Sequence, residues 1–137
     1  MKLLSTHPHI KPTWITGRSA VGMALGEVFP HFGAPGFSQI LHDLVITEDV
    51  DGSPDIVFSC LPQIASATKL KPFLEARTPS VDVSADFRLK DRETYELWYG
   101  SDHPAPEHLN ASVYGLPELH RAEIATSSIV GNPGCYP

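Results

Sequence analysis

A strand–helix–strand pattern in the middle of the chain limits the fold more than any other feature. Residues 55–61 form a short, continuous apolar run, which is typical of a strand covered on both faces of a parallel sheet. Residues 63–76 follow as a helix, with apolar side chains at helical spacing from Ile64 onwards, and Pro72 is expected to kink or divide it. Residues 80–84 form the next strand. This order predicts a βαβ unit and a parallel sheet with a right-handed crossover.

The flanking segments extend the same α/β pattern. The opening residues resemble the end of a helix before His7 and Pro8, and Asp91 is a suitable N-cap for a helix that follows it. The other predicted elements are strands at 13–16, 41–47, 113–117 and 127–130, a loose helical turn at 20–29, a loop at 30–38, and helices at 92–99 and 118–125. The sequence therefore predicts a doubly wound α/β fold, with the ligand-binding loops after the carboxyl ends of strands.

Composition excludes several classes of function. The 137 residues are 42% hydrophobic and 19% charged, with a net charge of −6 and no basic stripe, which excludes a nucleic-acid or anionic-membrane surface. No apolar run is long enough to cross a membrane. Cys60 and Cys135 make no disulfide framework and no secretory signal is present, which indicates a reducing, cytosolic setting.

The histidines and aromatic residues are interpreted structurally. The spacing of His103, His108 and His120 fits no zinc pattern, so no metal site is predicted and these histidines are expected at the surface, like His7 and His9. A group of rings at positions 95, 98 and 99 is expected to pack in the core or at an interface.

The strongest candidate for chemistry is the segment Gly-Asn-Pro-Gly-Cys-Tyr-Pro at 131–137. Pro133 suits the first turn of a helix, which would place Cys135 near the positive end of a helix dipole, although only one turn would fit before the sequence ends. That position favours a thiolate, the form that acts as a nucleophile. The alternative is a buried cysteine that packs as a small hydrophobe.

A second candidate is the segment 84–89, which follows a predicted strand. Arg88 has the planar, bidentate guanidinium that suits a carboxylate or a phosphate. The alternative is local, because Asp86 would pair with Arg88 or cap a turn.

Segments 81–91, 95–100, 105–107, 113–119 and 131–137, taken in their order and spacing, resemble the N-acetyl-γ-glutamyl-phosphate reductase family. The resemblance covers essentially the whole chain, weakly before residue 54 and strongly after residue 80. It implies a cytoplasmic, homo-oligomeric, NADPH-dependent enzyme of arginine biosynthesis. Such an enzyme reduces N-acetyl-glutamyl phosphate to N-acetyl-glutamate semialdehyde, and a small molecule is therefore its expected partner.

The resemblance also implies roles for particular residues. Cys135 would form the thioester, and Asn132 and Gly134 would either stabilise the oxyanion or only shape the turn. Arg18 and Ser19 would meet the 2′-phosphate of NADP, unless Arg18 is simply an exposed loop residue. The remaining implied contacts are Ser59, Leu61 and Pro62 with the cofactor, and Ser84 and Arg88 with the substrate.

The sequence departs from the family at one point. The pair Gln63-Ile64 stands where a His-Gly pair usually follows Leu-Pro, which removes room for a close backbone approach. Cys60, just before it, is expected to pack within its strand.

The resemblance further implies that residues 1–137 are a partial NADP-binding domain that ends at the nucleophile. The family's first strand with its Gly-x-x-Gly-x-x-Gly loop, and the later catalytic domain with its histidine, are not among the printed residues. The isolated chain is therefore expected to be inactive. The alternatives are a related reductase of carrier-bound aminoadipyl phosphate or aspartyl phosphate, and a non-catalytic remnant.

Overall fold

The computed structural model describes residues 1–34, 36–37 and 39–136, so Pro35 and Ser38 of the predicted 30–38 loop, and Pro137, lie outside the described residues. The chain forms two compact units, Met1–Ser53 and Pro54–Pro137.

The second unit is built on a four-stranded parallel sheet. Its strands are β3 (Val57–Ser59), β4 (Ser80–Asp82), β5 (Ser112–Tyr114) and β6 (Ile129–Gly131). Their spatial order is β3-β4-β6-β5, and every neighbouring pair is parallel. The predicted βαβ unit and parallel α/β class are confirmed, although each strand is shorter than its apolar run.

Helix α4 (Ala65–Glu75) connects β3 to β4. Its buried residues Ala67, Leu70 and Leu74 pack in the core with Phe87, Ala105, Leu109 and Ile129. Pro72 lies inside the helix without dividing it, so of the two predicted effects the division is wrong and the kink stays a prediction. Ile64 is also not part of the buried face, because the helix begins after it and its side chain is 43% exposed.

The rest of the second unit consists of short helices around the sheet. Helix α5 (Arg92–Tyr99) has the predicted bounds and cap, since Asp91 Oδ2 accepts a 2.7 Å hydrogen bond from the Thr94 N–H. A 3-10 helix (Pro106–Ala111) precedes β5, and α6 (Pro117–Ile124) precedes β6. Of the three rings expected to pack, Tyr95 is fully buried whereas Trp98 is 76% exposed.

The first unit contains α1 (Lys2–Ser5), β1 (Ile15–Thr16), α2 (Leu25–Val28), a 3-10 helix (Pro30–Gly33), α3 (Gln39–His42) and β2 (Ile46–Thr47). Strands β1 and β2 pair in parallel. Leu25, Phe32, Leu41 and Ile46 form its core. The predicted strand at 41–47 is wrong in its first half, because Leu41 is a buried residue of α3.

Among the described residues, no helix is long and apolar enough to cross a membrane.

Candidate functional site

The carboxyl ends of β3, β4 and β6 lie side by side at one edge of the sheet, because the three strands are parallel neighbours. These strand ends and the loops after them carry the predicted site residues of the second unit: Ser59 as the last residue of β3, Leu61 and Pro62 after β3, Ser84 and Arg88 after β4, and Asn132, Gly134 and Cys135 after β6. Loops at this edge are the usual ligand position in parallel α/β sheets.

Arg88 joins two of these loops. Its Nε donates a 2.7 Å hydrogen bond to the carbonyl of Asn132, and its Nη2 donates a 3.2 Å bond to the carbonyl of Val83. A Cβ atom on Gly134 would lie 3.5 Å from Nη1 of the same guanidinium. The structure therefore brings Arg88 into contact with the segment that carries Cys135. Arg88 and Asn132 are 44 residues apart in sequence, so no local sequence pattern predicts the contact.

The backbone of the β6 loop is held closely as well. A Cβ on Gly131 would overlap the carbonyl of Phe87, so the two loops approach at a distance that only glycine permits. The Asn132 N–H donates a 2.7 Å hydrogen bond to the Asp82 carbonyl. The position of the segment after β6 is therefore set by contacts with the β4 loop.

The helix predicted to begin at Pro133 is absent from the described residues, and Cys135 lies in a bend. The Asn132 carbonyl would accept the first helical hydrogen bond, but it accepts Arg88 Nε instead. The next bond would need an N–H at position 137, which is proline. The helix-dipole argument for Cys135 therefore does not apply to this structure.

Cys135 and Cys60 are both free and exposed. The alternative of Cys135 as a buried hydrophobe is wrong, and so is the expectation that Cys60 packs within its strand, because β3 ends at Ser59. Asn132 Nδ2 donates a 2.9 Å hydrogen bond to the Pro133 carbonyl, so its side chain shapes the turn here. Its part in holding an oxyanion stays a prediction.

A buried carboxylate, Asp82, lies under the β4 loop and was not identified from the sequence. Its Oδ1 accepts hydrogen bonds from Ser66 Oγ at 2.5 Å and the Ser84 N–H at 2.9 Å. Its Oδ2 accepts from Ser84 Oγ at 2.8 Å and the Phe87 N–H at 3.3 Å. Ser59 Oγ, 2.6 Å from Ser66 Oγ, completes the network. The hydroxyls of Ser59 and Ser84, two predicted site residues, are therefore bound within the protein.

Asp86 is the second buried carboxylate that sequence reasoning misplaced. It does not pair with Arg88 but caps α4 from a distance, accepting hydrogen bonds from the N–H groups of Ile64 and Ala67 at 2.9 Å. Tyr95 donates its hydroxyl proton to Asp86 Oδ1 at 2.8 Å. Burial, together with this hydrogen bond to the carboxylate, raises the pKa of Tyr95 to about 12. The amino terminus of α4 therefore holds the protein's own carboxylate.

His103 packs between the rings of Phe87 and Tyr95, so the predicted surface position is wrong. Its Nε2 lies 2.9 Å from the Asp86 carbonyl, and its Nδ1 accepts a 3.0 Å hydrogen bond from the Ala105 N–H. A neutral ring with its proton on Nε2 satisfies both contacts. Burial lowers the pKa of His103 from its ordinary value.

One signal in the sequence pointed to this buried layer. Aspartate, serine and aspartate recur at positions 82, 84 and 86, from the last residue of β4 into the loop after it. Short polar side chains at this density after a strand are typical of a loop held by its own side-chain hydrogen bonds.

The residues predicted to contact a dinucleotide fall in both units. Arg18 and Ser19 are exposed in the first unit, just after β1, where a guanidinium and a hydroxyl are free to meet a phosphate. Leu61 and Pro62 are exposed in the second unit, after β3, and offer apolar surface for a ring. The amino terminus of α4 does not fit a phosphate, because Asp86 fills it.

Within the described ranges, no group of three or more His, Cys, Asp or Glu side chains is arranged to hold a metal ion.

The chain resembles several known proteins. A relative from Dehalococcoides mccartyi (strain ATCC BAA-2266 / KCTC 15142 / 195), named N-acetyl-gamma-glutamyl-phosphate reductase, is 44% identical over 99% of this chain and 38% of its own length. A relative from Nitrosopumilus maritimus (strain SCM1), whose name proposes a LysW-L-2-aminoadipate/LysW-L-glutamate phosphate reductase, is 36% identical over 98% of this chain and 38% of its own length.

Among solved structures, the chain resembles aspartate semialdehyde dehydrogenase with NADP from Candida albicans. The identity is 19%, the match covers 74% of this chain and 35% of that chain, and the TM-score is 0.49.

The chain spans about two fifths of the length of the curated relatives, 38% in each of the two described. The family described as Semialdehyde dehydrogenase, NAD binding domain, matches residues 1–127, which is most of the chain. On that match, this chain belongs to the NAD-binding domain family of the semialdehyde dehydrogenases.

Proposed function

We propose that the protein containing this chain is an NADPH-dependent reductase of N-acetyl-γ-glutamyl phosphate in arginine biosynthesis. We further propose that residues 1–137 are part of its NADP-binding domain, that they end at its nucleophile, and that the protein is a cytoplasmic homo-oligomer. The observation that carries the proposal is the hydrogen bond from Arg88 to the Asn132 carbonyl, three residues before the exposed Cys135. Arg88 and Cys135 both lie in loops at the carboxyl ends of the parallel strands. The 44% identity to a reductase of this name, over 99% of the chain, supports it.

Cys135 is the nucleophile in this proposal. Its thiolate attacks the acyl carbon of the substrate, the bond from that carbon to the phosphate oxygen breaks, and phosphate leaves. The thioester formed on Cys135 is then reduced, and the thiolate leaves as the semialdehyde is released. Arg88 binds the phosphoryl group, because its guanidinium faces the Cys135 segment through Nη1.

In this proposal, the cofactor contacts the residues that the family resemblance implied. Arg18 and Ser19 bind the 2′-phosphate, and the strand end at Ser59, Leu61 and Pro62 lies along the dinucleotide, with contact through backbone and apolar surface. When bound, NADPH supplies the hydride that reduces the thioester.

A second candidate is a reductase of a carrier-bound aminoadipyl or glutamyl phosphate. The relative from Nitrosopumilus maritimus, 36% identical over 98% of the chain, favours it. Both candidates share the thioester chemistry at Cys135 and differ only in the group attached to the acyl phosphate.

The test uses the complete gene product that contains these residues. We expect oxidation of NADPH with N-acetyl-γ-glutamyl phosphate, and release of one phosphate for each NADPH consumed. Cys135→Ser abolishes this activity, whereas Cys60→Ser, the matched change at the other exposed cysteine, retains it. Activity that survives Cys135→Ser would refute the assignment of the nucleophile. Preference for a carrier-bound acyl phosphate, or for aspartyl phosphate, would replace the substrate, and no activity with any acyl phosphate would favour a non-catalytic remnant.

A further inference from the structure

The side chain of Asp82 binds both ends of the β4 loop that leads to Arg88. Its carboxylate binds the Ser84 N–H, the Ser84 hydroxyl and the Phe87 N–H, so both ends of the loop close on one side chain. The Val83 carbonyl that accepts from Arg88 Nη2 lies between Asp82 and Ser84, and Phe87 is the residue before Arg88. The buried Asp82 carboxylate therefore fixes the backbone conformation of the loop that carries the Arg88 guanidinium.

The carboxylate is suited to this task because it only accepts hydrogen bonds. Asp82 is fully buried, and four donors surround it: two N–H groups and two hydroxyls. An amide at this position has one accepting oxygen, so its NH₂ group would face one hydroxyl, which can turn to accept from it, and one backbone N–H, which cannot. Donors left unpaired in the interior are costly, and the loop must move to relieve them.

The connection continues from Arg88 to Cys135. Arg88 Nε binds the Asn132 carbonyl, and Nη1 lies beside Gly134, the residue before Cys135. The backbone carbonyl of Asp82 itself accepts the Asn132 N–H at 2.7 Å. Asp82 therefore contacts the Cys135 segment directly through its main-chain carbonyl. Its side chain acts on the same segment indirectly, because it binds the β4 loop that carries Arg88.

We propose that Asp82 is a positioning residue, whose buried carboxylate holds the Arg88 guanidinium at the Cys135 segment for the recognition of an anionic reactant. This inference rests on the proposed function for the identity of the substrate, but the placement of the positive charge can be measured without it.

The experiment measures alkylation of Cys135 in the complete gene product, with Cys60→Ser as background. Two probes of similar size are used, the anion iodoacetate and the neutral iodoacetamide. A guanidinium within a few ångströms raises the rate of the anion selectively, and a charge pair at such a distance in water corresponds to about a fivefold effect. The ratio of the two rates therefore reports the charge beside Cys135, whereas general loosening of the fold raises both rates together.

We expect Arg88→Met to lower the ratio about three- to fivefold, by the same charge-pair estimate. Asp82→Asn should lower it by a similar factor, and the double variant should show no further loss, because Asp82 acts through Arg88. Asp91→Asn, a matched change at the exposed cap of α5, should leave the ratio unchanged. If Asp82→Asn does not fold, Ser84→Ala removes one donor to the carboxylate and should lower the ratio in the same direction.

An unchanged ratio in Asp82→Asn, or in Ser84→Ala where the first variant fails to fold, overturns the proposal. It is equally overturned if Arg88→Met leaves the ratio unchanged, or if the two losses are additive. A protein that shows the expected ratios but reduces no acyl phosphate retains the positioning role and loses the proposed function, so the two failures are distinguishable.

Discussion

Ile64 has a backbone conformation that is rare for a β-branched residue, with φ +69° and ψ −50°. Its surroundings hold it there. Its N–H donates to the carboxylate of Asp86, and its carbonyl accepts the Thr68 N–H at 3.0 Å and the Thr68 hydroxyl at 2.7 Å. Glycine adopts positive φ without a steric penalty, so Ile64→Gly should relieve strain at the start of α4.

The size of the effect follows from two opposed contributions. The Ile64 side chain is 43% exposed, so its partial burial contributes roughly 1 kcal/mol to the free energy of unfolding. Ile64→Ala loses this contribution and keeps most of the backbone strain. Glycine also forfeits the side chain but removes about 1–2 kcal/mol of strain. Glycine also increases the conformational entropy of the unfolded chain, which lowers the free energy of unfolding by about 0.4–1 kcal/mol. Ile64→Gly should therefore be more stable than Ile64→Ala by roughly 1 kcal/mol, and close to the parent protein.

Urea denaturation and thermal unfolding of the complete gene product measure this difference. A gap of 1 kcal/mol corresponds to roughly 2–4 °C in Tm for a domain of 150–250 residues, the size class nearest to this chain of 137 residues. Ile56, another partly exposed isoleucine just before β3, provides the control, because its φ is not positive. There the order should reverse, with glycine less stable than alanine by about 0.5–1 kcal/mol. If glycine is also the less stable residue at position 64, the assignment of strain to Ile64 is wrong.

Two further predictions concern the packing around the candidate site. Because burial lowers the pKa of His103, the unfolded chain binds a proton first, so stability is complete above about pH 6.5 and falls as the pH drops below it. Urea denaturation at several pH values across this range should give a free energy of unfolding that depends less steeply on pH in His103→Gln than in the parent protein, and an equal pH dependence would contradict the prediction. Gly131→Ala should destabilise by about 1–3 kcal/mol, because its methyl group would overlap the Phe87 carbonyl. Gly134→Ala should stay within about 0.5 kcal/mol, since its methyl would make an ordinary contact, and equal unfolding midpoints for the two variants would contradict the close approach at Gly131.

The elements that sequence patterns predicted well are those governed by near neighbours. Helix α5 has its predicted bounds because Asp91 caps it three residues from Thr94 and Gly100 ends it at φ +67°. The parallel β3–α4–β4 unit was predicted because a short apolar run and a helical apolar period are both local patterns. The neighbourhood of Arg88 and the Cys135 segment was not predicted in this way, because it depends on the pairing of β4 with β6, two strands far apart in sequence.

The elements that were predicted wrongly depend on partners far away in sequence. Residues 41–42 belong to a helix because Leu41 packs in the core of the first unit, although their pattern favoured a strand. His103 is buried because its ring fits between Phe87 and Tyr95 and finds partners at Asp86 and Ala105. These residues lie between positions 86 and 105 at spacings that follow no helical or strand period, so no local pattern indicated the burial.

The sequence alone determined the α/β class, the parallel unit and the family, because periodicity, caps and motif spacing are written in neighbouring residues. The tertiary structure decided what each polar side chain near the site does. It placed Asp82 and Asp86 beneath the loop as acceptors, used Arg88 to hold the Asn132 carbonyl, and thereby left Cys135 in a bend. The physical reason is that buried donors and acceptors must find partners wherever the fold brings them, and these partners lie up to 44 residues apart.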